Sequence, residues 1–160
     1  MLSAAKTLRA LNPNIELETI ESHVTANNVD DLVAKADIVF DAAPRFSERF
    51  WLNAACVKTG TPMIDAAMYS MEGQVIVIVP GATPCLACLY PEEPSHWKRR
   101  FPVLGAVSAM IGNMAVLEGI KLLTGIGKLS LGEMLYLDTL TMGLRKIAIT
   151  RRSNCHVCQP

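Results

Sequence analysis

An α/β fold is what this sequence predicts, and three observations carry the prediction. Short apolar runs alternate with stretches of helical periodicity through the first half of the chain, in units whose length suits parallel strands joined by helices. The last third carries two strand-like runs joined through a turn, as an antiparallel pair requires. With 160 residues, 51% of them hydrophobic, the chain holds enough apolar material for one core and is read as one domain, residues 1–160.

Ala4, Ala5, Leu8 and Leu11 recur at helical spacing and stop before Pro13, so the chain begins with an amphipathic helix. Ile15, Leu17 and Thr19 alternate with Glu16 and Glu18, which predicts a strand over residues 15–19. Val29, Leu32, Val33 and Ala36 mark a short helix entered through Asn27 or Asn28. Residues 37–41 form an apolar run bounded by Asp37 and Asp41, which reads as a buried parallel strand. A helix over 45–59 follows, with Gly60 as its stop, then strands over 62–68 and 74–79.

After Pro80-Gly81 the chain becomes irregular and rich in cysteine and proline as far as Pro102. A long helix over 106–124 is apolar almost all round, the signature of a buried helix. Pro102 and Asn113 and the marginal length of its uncharged stretch speak against a membrane span. Gly105, Gly112 and Gly119 lie seven apart, near one face, where another backbone can come close; core packing and a subunit interface both account for that stripe. Strands over 134–138 and 144–150 turn near Gly143.

Fifteen basic residues balance fifteen acidic ones, so no overall field recruits nucleic acid or an anionic membrane. The first residues lack the basic segment, apolar run and cleavage site of a secretory signal, and a cytoplasmic location is expected. Five cysteines is an odd number for a disulfide framework. Four of them form two Cys-x-x-Cys knuckles, Cys85 with Cys88 and Cys155 with Cys158. Two such knuckles supply the four thiolates of a tetrahedral zinc ion, with no position left for substrate or water. The ion would tie the chain end to a mid-domain loop as a structural staple.

Cys56, among Ala54, Ala55 and Val57, reads as a small buried thiol. His156 lies between two expected ligands, but the spacing favours the cysteines. His23 and His96 show no partner in the sequence and read as surface residues. Lys98-Arg99-Arg100, beside His96 and Trp97, makes a basic and aromatic patch; a solvated loop and an anion or partner contact are its two readings. No glycine-rich turn of the kind that cradles phosphates separates a strand from a helix.

Seven short motifs occur in a family's order: Leu11-Asn12-Pro13; residues 37–41; Arg49 with Leu52-Asn53; Met71-Glu72-Gly73-Gln74; Pro84-Cys85-x-x-Cys88; Glu118-Gly119-Ile120-Lys121 with Leu123-Thr124-Gly125; and Cys155-x-x-Cys158. Together they resemble the ThiF/MoeB/HesA family, bacterial relatives of ubiquitin-activating enzymes. The resemblance implies a Rossmann-like, largely parallel sheet with helices on both faces, antiparallel C-terminal strands and a zinc-stapled tail. It implies ATP- and magnesium-dependent adenylation of the C-terminus of a ubiquitin-like sulfur-carrier protein, on a homodimer or in a pair with another ThiF-like chain. Arg49 is the residue it marks for cofactor binding.

The resemblance makes this chain the C-terminal two thirds of such a domain. It sets the family's glycine-rich phosphate turn, arginine-rich segment and ATP-contacting lysine, the N-terminal nucleotide-binding βαβ unit, ahead of Met1. Where the family has Thr-Asp-Asn, with its magnesium-serving aspartate, this chain has Ala43-Pro44-Arg45. Near the family's reactive cysteine stands Lys98, and no cysteine falls between Cys88 and Cys155. No catalytic residue is therefore assigned. A non-catalytic dimerisation or scaffold homologue is the competing expectation.

Overall fold

The structure is a computed structural model and describes residues 1–95, 97, 98 and 100–159. Its elements in chain order are α1 (Leu2–Leu11), α2 (Val29–Val33), β1 (Val39–Asp41), α3 (Phe46–Thr59), β2 (Met63–Tyr69), β3 (Glu72–Ile78), α4 (Leu86–Leu89), α5 (Gly105–Thr124), β4 (Glu133–Asp138) and β5 (Gly143–Ala148). The five strands form one sheet in the order β1-β2-β3-β4-β5. The α/β class therefore holds, with a mixed sheet. The β1–β2 pair, joined through the crossover helix α3, is parallel; the other three pairings are antiparallel, because each is made by strands that run back beside their neighbour. Parallel pairing is thus narrower than the expected largely parallel sheet, and the antiparallel C-terminal strands are as expected.

The pleat divides the core in two. Met63, Ile76 and Ile78 point to one face, where Leu52, Ala55 and Cys56 of α3 meet Val29 and Val33 of α2 and the cysteine-bearing loop. Ile64, Val75 and Val77 point to the other, against Val107, Ile111 and Ala115 of α5 and Leu135 and Leu137 of β4. Neighbouring residues of β3 feed opposite clusters, as the period of two demands. Helices cover both faces, as predicted.

Helix α3 shows how local sequence sets these packings. Glu48, Leu52, Asn53, Ala55 and Cys56 make its buried face, and Gly60 ends it at φ 78° with its N–H bonded to the Cys56 carbonyl. Helix α2 begins after Asn28, as read from the sequence.

Four expectations change. Residues 15–19 form no strand: Ile15 is exposed, and a strand needs a neighbour to complete its hydrogen-bond ladder, which this segment lacks among the described residues. The run over 37–41 contributes strand only from Val39, and it is an edge strand, with Phe40 44% exposed, rather than one buried on both faces. Helix α5 is long and apolar enough to cross a membrane by length and composition, yet it buries only the stripe facing the sheet; Val116, Leu117, Ile120 and Leu123 are exposed. Along its glycine stripe only Gly119 makes a close approach, with Phe40 Cζ 2.3 Å from where a Cβ would stand, while Gly105 and Gly112 face open space.

Candidate metal centre and adjoining cleft

The two cysteine knuckles meet. Cys85 stands immediately before the single turn of α4, which carries Cys88, and both share a buried cluster with Leu52, Ala55 and Cys56 of α3. The tail returns past β5, where Arg151 Nη2 donates to the Thr83 carbonyl at 2.8 Å and brings Cys155 and Cys158 alongside. One ligand atom from each of Cys85, Cys88, Cys155 and Cys158 lies within 4.8 Å of all the others. Cys85 Sγ and Cys155 Sγ are 3.6 Å apart, and Cys88 Sγ and Cys158 Sγ 3.5 Å. Those separations are too long for disulfides, whose sulfurs lie about 2.05 Å apart. They suit the edges of a tetrahedron with ligand bonds of about 2.3 Å, whose edges are about 3.8 Å. The donor set therefore fits a metal ion.

The free thiols of Cys155, Cys158 and Cys85 are perturbed unequally. Burial pushes Cys155 up, but N–H groups of Cys158 and Val157 outweigh it and bring the thiol down to about 7. Burial holds Cys158 and Cys85 above the ordinary thiol value. His156 is exposed and stands outside the sulfur cluster. Cys56 is fully buried, its thiol pushed up to about 12, first by burial and then by the nearby Asp41. It is the inert core residue that its neighbours in sequence predict.

A cleft of about 650 Å³ opens on the carboxyl-terminal side of the parallel pair. Ala43 and Pro44 after β1, and Ala67, Met68 and Tyr69 at the end of β2, form one wall. Phe46, Tyr90 and Trp97 form an aromatic wall, with ring centroids 5.4 Å apart for Phe46 and Tyr90 and 5.8 Å for Phe46 and Trp97. Lys98 and Arg100 contribute positive charge. Thus Lys98 and Arg100 of the predicted basic patch reach the cleft; His96 and Arg99 lie outside the described residues.

Arg49, the predicted cofactor residue, also lines the cleft, but most of its donors are engaged within the fold. Nε donates to the Ala43 carbonyl at 2.9 Å, Nη1 to Asp65 Oδ1 at 2.7 Å and Nη2 to the Ala66 carbonyl at 3.2 Å. Asp41 Oδ2 lies 3.8 Å from Nη1. Asp41 and Asp65 are Cα partners in the β1–β2 register, so both carboxyl groups point to the same face. From Asp65 the network continues outward: Gln74 Nε2 donates to Asp65 Oδ2 at 3.5 Å, and Tyr90 OH donates to Gln74 Oε1 at 3.1 Å. Asp41 Oδ1 accepts the Ala43 N–H, but its Oδ2 makes no hydrogen bond. Burial first, then repulsion from Asp65 against the pull of Arg49, raises the Asp41 carboxyl to about 7.

Sequence reasoning missed Asp65. Its signal was an acid inside an otherwise apolar strand run, which has to find a cation. His23, read as a surface residue, is 81% exposed, and its Nδ1 lies 3.7 Å from Glu48 Oε1.

A mixed sheet with a cleft beyond its parallel strands, and a tail drawn in by four cysteines, defines a Rossmann-like α/β domain with a candidate thiolate metal centre. The chain belongs to the ThiF family, whose sequence pattern matches residues 1–157. It is 45% identical over 158 residues to the heterocyst HesA protein of Trichormus variabilis, covering 99% of this chain and 59% of that protein. It is 37% identical over 154 residues to the sulfur carrier protein ThiS adenylyltransferase of Escherichia coli, covering 94% of this chain and 61% of that protein. The chain thus spans about three fifths of the length of these relatives. Escherichia coli MccB, in a crystal structure with ATP, matches with a TM-score of 0.81 and 20% identity, over 98% of this chain and 50% of that one, a likeness of fold.

Proposed function

We propose that this chain is the sheet, cleft and metal-stapled part of an enzyme that adenylates the C-terminus of a ubiquitin-like sulfur-carrier protein with ATP. The observation that carries the reading is the position of the cleft: it lies outside the carboxyl ends of parallel strands, where open α/β sheets bind their ligands, and it is lined by Lys98 and Arg100. In that reaction the carrier's terminal carboxylate attacks the α-phosphate, pyrophosphate leaves, and an acyl adenylate forms. The cleft's part is to position an extended tail against Phe46, Tyr90 and Trp97 and to offset phosphate charge with its two cations. Arg49 supports the nucleotide indirectly, by pinning the Ala43 carbonyl and β2.

The chain is not self-sufficient in this proposal: the phosphate-binding βαβ unit comes from elsewhere, and the domain it completes is one of which residues 1–160 are the C-terminal two thirds. A second copy, or another ThiF-like chain, is the protein partner beside the carrier, and the cytoplasm the expected location. Zinc is the metal the four thiolates suit best, held by Cys85, Cys88, Cys155 and Cys158 as a staple. Magnesium finds no comparable site among the described residues. Among the described residues lining the cleft, Glu72 is the sole carboxylate, and Tyr136 OH already bonds to it.

Pro44 favours a second reading, a non-catalytic homologue that acts as a dimerisation or scaffold module, because it places a ring at the cleft wall where the family has a carboxylate. ATP–pyrophosphate exchange with the full-length product and a candidate carrier separates the two. Exchange that depends on the carrier supports the enzyme, and exchange no greater than a protein-free blank ends it.

A further inference from the structure

Asn53 is a fully polar side chain in an apolar setting. It lies on the buried face of α3, 1% exposed, in contact with the core that holds Cys56, Leu86 and the cysteine loop. Its Oδ1 accepts the Leu86 N–H at 2.9 Å, which fixes the amide beside the peptide that joins Cys85 to Leu86. Once Oδ1 is committed there, Nδ2 is turned the other way. That nitrogen is buried and completes no hydrogen bond, while Cys85, the residue just before the bonded Leu86 N–H, lies beside the amide. A buried amide donor without an acceptor costs about 1–3 kcal/mol, so a native position of this kind calls for an acceptor in the working state.

Metal binding creates one. Four thiolates around a divalent ion leave a net charge of about −2, from the ligand set itself, in a largely buried site. Such a charge is tolerable only where N–H groups point at the sulfurs. Backbone N–H groups serve Cys155 from within its own knuckle. On the Cys85 side, the side chain in place is Asn53.

We propose that Asn53 is a positioning residue of the metal centre: Nδ2 donates to the Cys85 thiolate and, with Oδ1 on the Leu86 N–H, fixes the first knuckle in its ligating geometry. The inference rests on the four-thiolate reading, and it assigns to α3 a duty that packing does not explain, since leucine or methionine would fill the same volume without an orphaned donor.

The test uses the full chain loaded with Co(II) or Zn(II). Asn53→Ala removes both contacts without adding charge, and Asn53→Asp keeps an oxygen for the Leu86 N–H but sets a carboxylate, in place of the donor, beside the thiolates. Each is expected to bind metal roughly 10–100-fold more weakly in competition with a chromophoric chelator. The Asn53→Asp variant should keep the thiolate-to-cobalt absorption of four sulfur ligands. Affinity within twofold of the native chain in a folded Asn53→Asp variant overturns the proposal. Should both variants fail to fold, the native chain loaded with cadmium-113 decides: the Asn53 side-chain amide proton is expected to move downfield on loading and to show coupling to the metal. An unmoved and uncoupled proton overturns the assignment. A native chain that takes up no Co(II) or Zn(II) overturns the metal reading as well, so the two failures are distinct.

Discussion

Arg49 and Asp65 form a 2.7 Å ion pair between α3 and β2, with the guanidinium only 12% exposed and the carboxylate sealed inside the sheet. A buried charge of this kind is tolerated because its partner is present, and removing the partner costs about 3–5 kcal/mol. Asp65→Ala is therefore expected to lower the unfolding free energy by an amount in that range, read as a lower urea midpoint. Adding Arg49→Met should recover part of the loss, because the buried guanidinium is then no longer left without Asp65. Equal midpoints for the native chain and Asp65→Ala would show that the pair is not what holds β2 to α3.

Asp41, one strand away from that pair, gives stability a pH dependence. Its carboxyl is raised from 3.8 to about 7 in the folded chain, with burial as the leading cause. Between those values the folded state holds a proton that the unfolded state has lost, so stability falls as pH rises from about 4 to about 7 and levels off above. Asp41→Asn removes this dependence while keeping an oxygen for the Ala43 N–H. The expected gain at pH 8 is on the order of 2 kcal/mol, with little change at pH 4. Parallel unfolding curves at the two pH values check it, and a variant less stable at pH 8 would contradict it.

The parts of the fold that were legible in sequence are those fixed by local chemistry. Gly60 ends α3 because its left-handed φ suits a residue without a side chain, and the turn near Gly143 joins the two final strands as an antiparallel pair. The cysteine pairs were legible because the two-residue spacing is itself the ligand geometry. What failed depended on neighbours. Residues 15–19 carry a strand pattern, but pattern alone does not supply a partner ladder. The apolar circumference of α5 does not say how much of it a sheet will cover. Asp65 and the orphaned amide of Asn53 become visible only when their register and contacts are known.

Glycines of similar appearance should respond in opposite senses. A Cβ on Gly73 would stand 2.3 Å from Ile111 Cγ1 and 3.2 Å from the Ala67 carbonyl oxygen, in the packed interface between β3 and α5. Gly73→Ala is expected to destabilise by about 1–3 kcal/mol, as overpacking does. Gly112, in the middle of α5, meets nothing within 4 Å. Gly112→Ala should raise stability by up to about 1 kcal/mol through helix propensity alone. Thermal unfolding of the two variants decides the contrast.

The exposed side of α5 gives the proposed pairing of chains a test. Val116, Leu117, Ile120 and Leu123 lie on the solvent side of one helix, an arrangement that favours association. Light scattering is expected to give a mass above that of the single 17.4 kDa chain. Leu117→Glu and Ile120→Glu together should reduce it. A monomer at all concentrations would remove the pairing reading.

Removal of the metal should free the tail before it unfolds the sheet. The sulfur cluster fastens residues 151–159 to the loop before α4, whereas the cluster around Ile64, Val75 and Ile111 contains none of the four ligands. Loaded protein is expected to contain about one zinc per chain, since four thiolates satisfy one tetrahedral ion. Stripping it with a chelator, or substituting Cys155→Ser, should speed tryptic cleavage after Arg151 and Arg152 by loosening the tail, while the far-ultraviolet dichroism changes little. Acid should act in the same direction: protons compete with the ion for the thiolates, so zinc release becomes easier as pH falls. Protease resistance identical with and without metal would mean that the Arg151 contact and local packing hold the tail unaided, and the staple would have no structural work to perform.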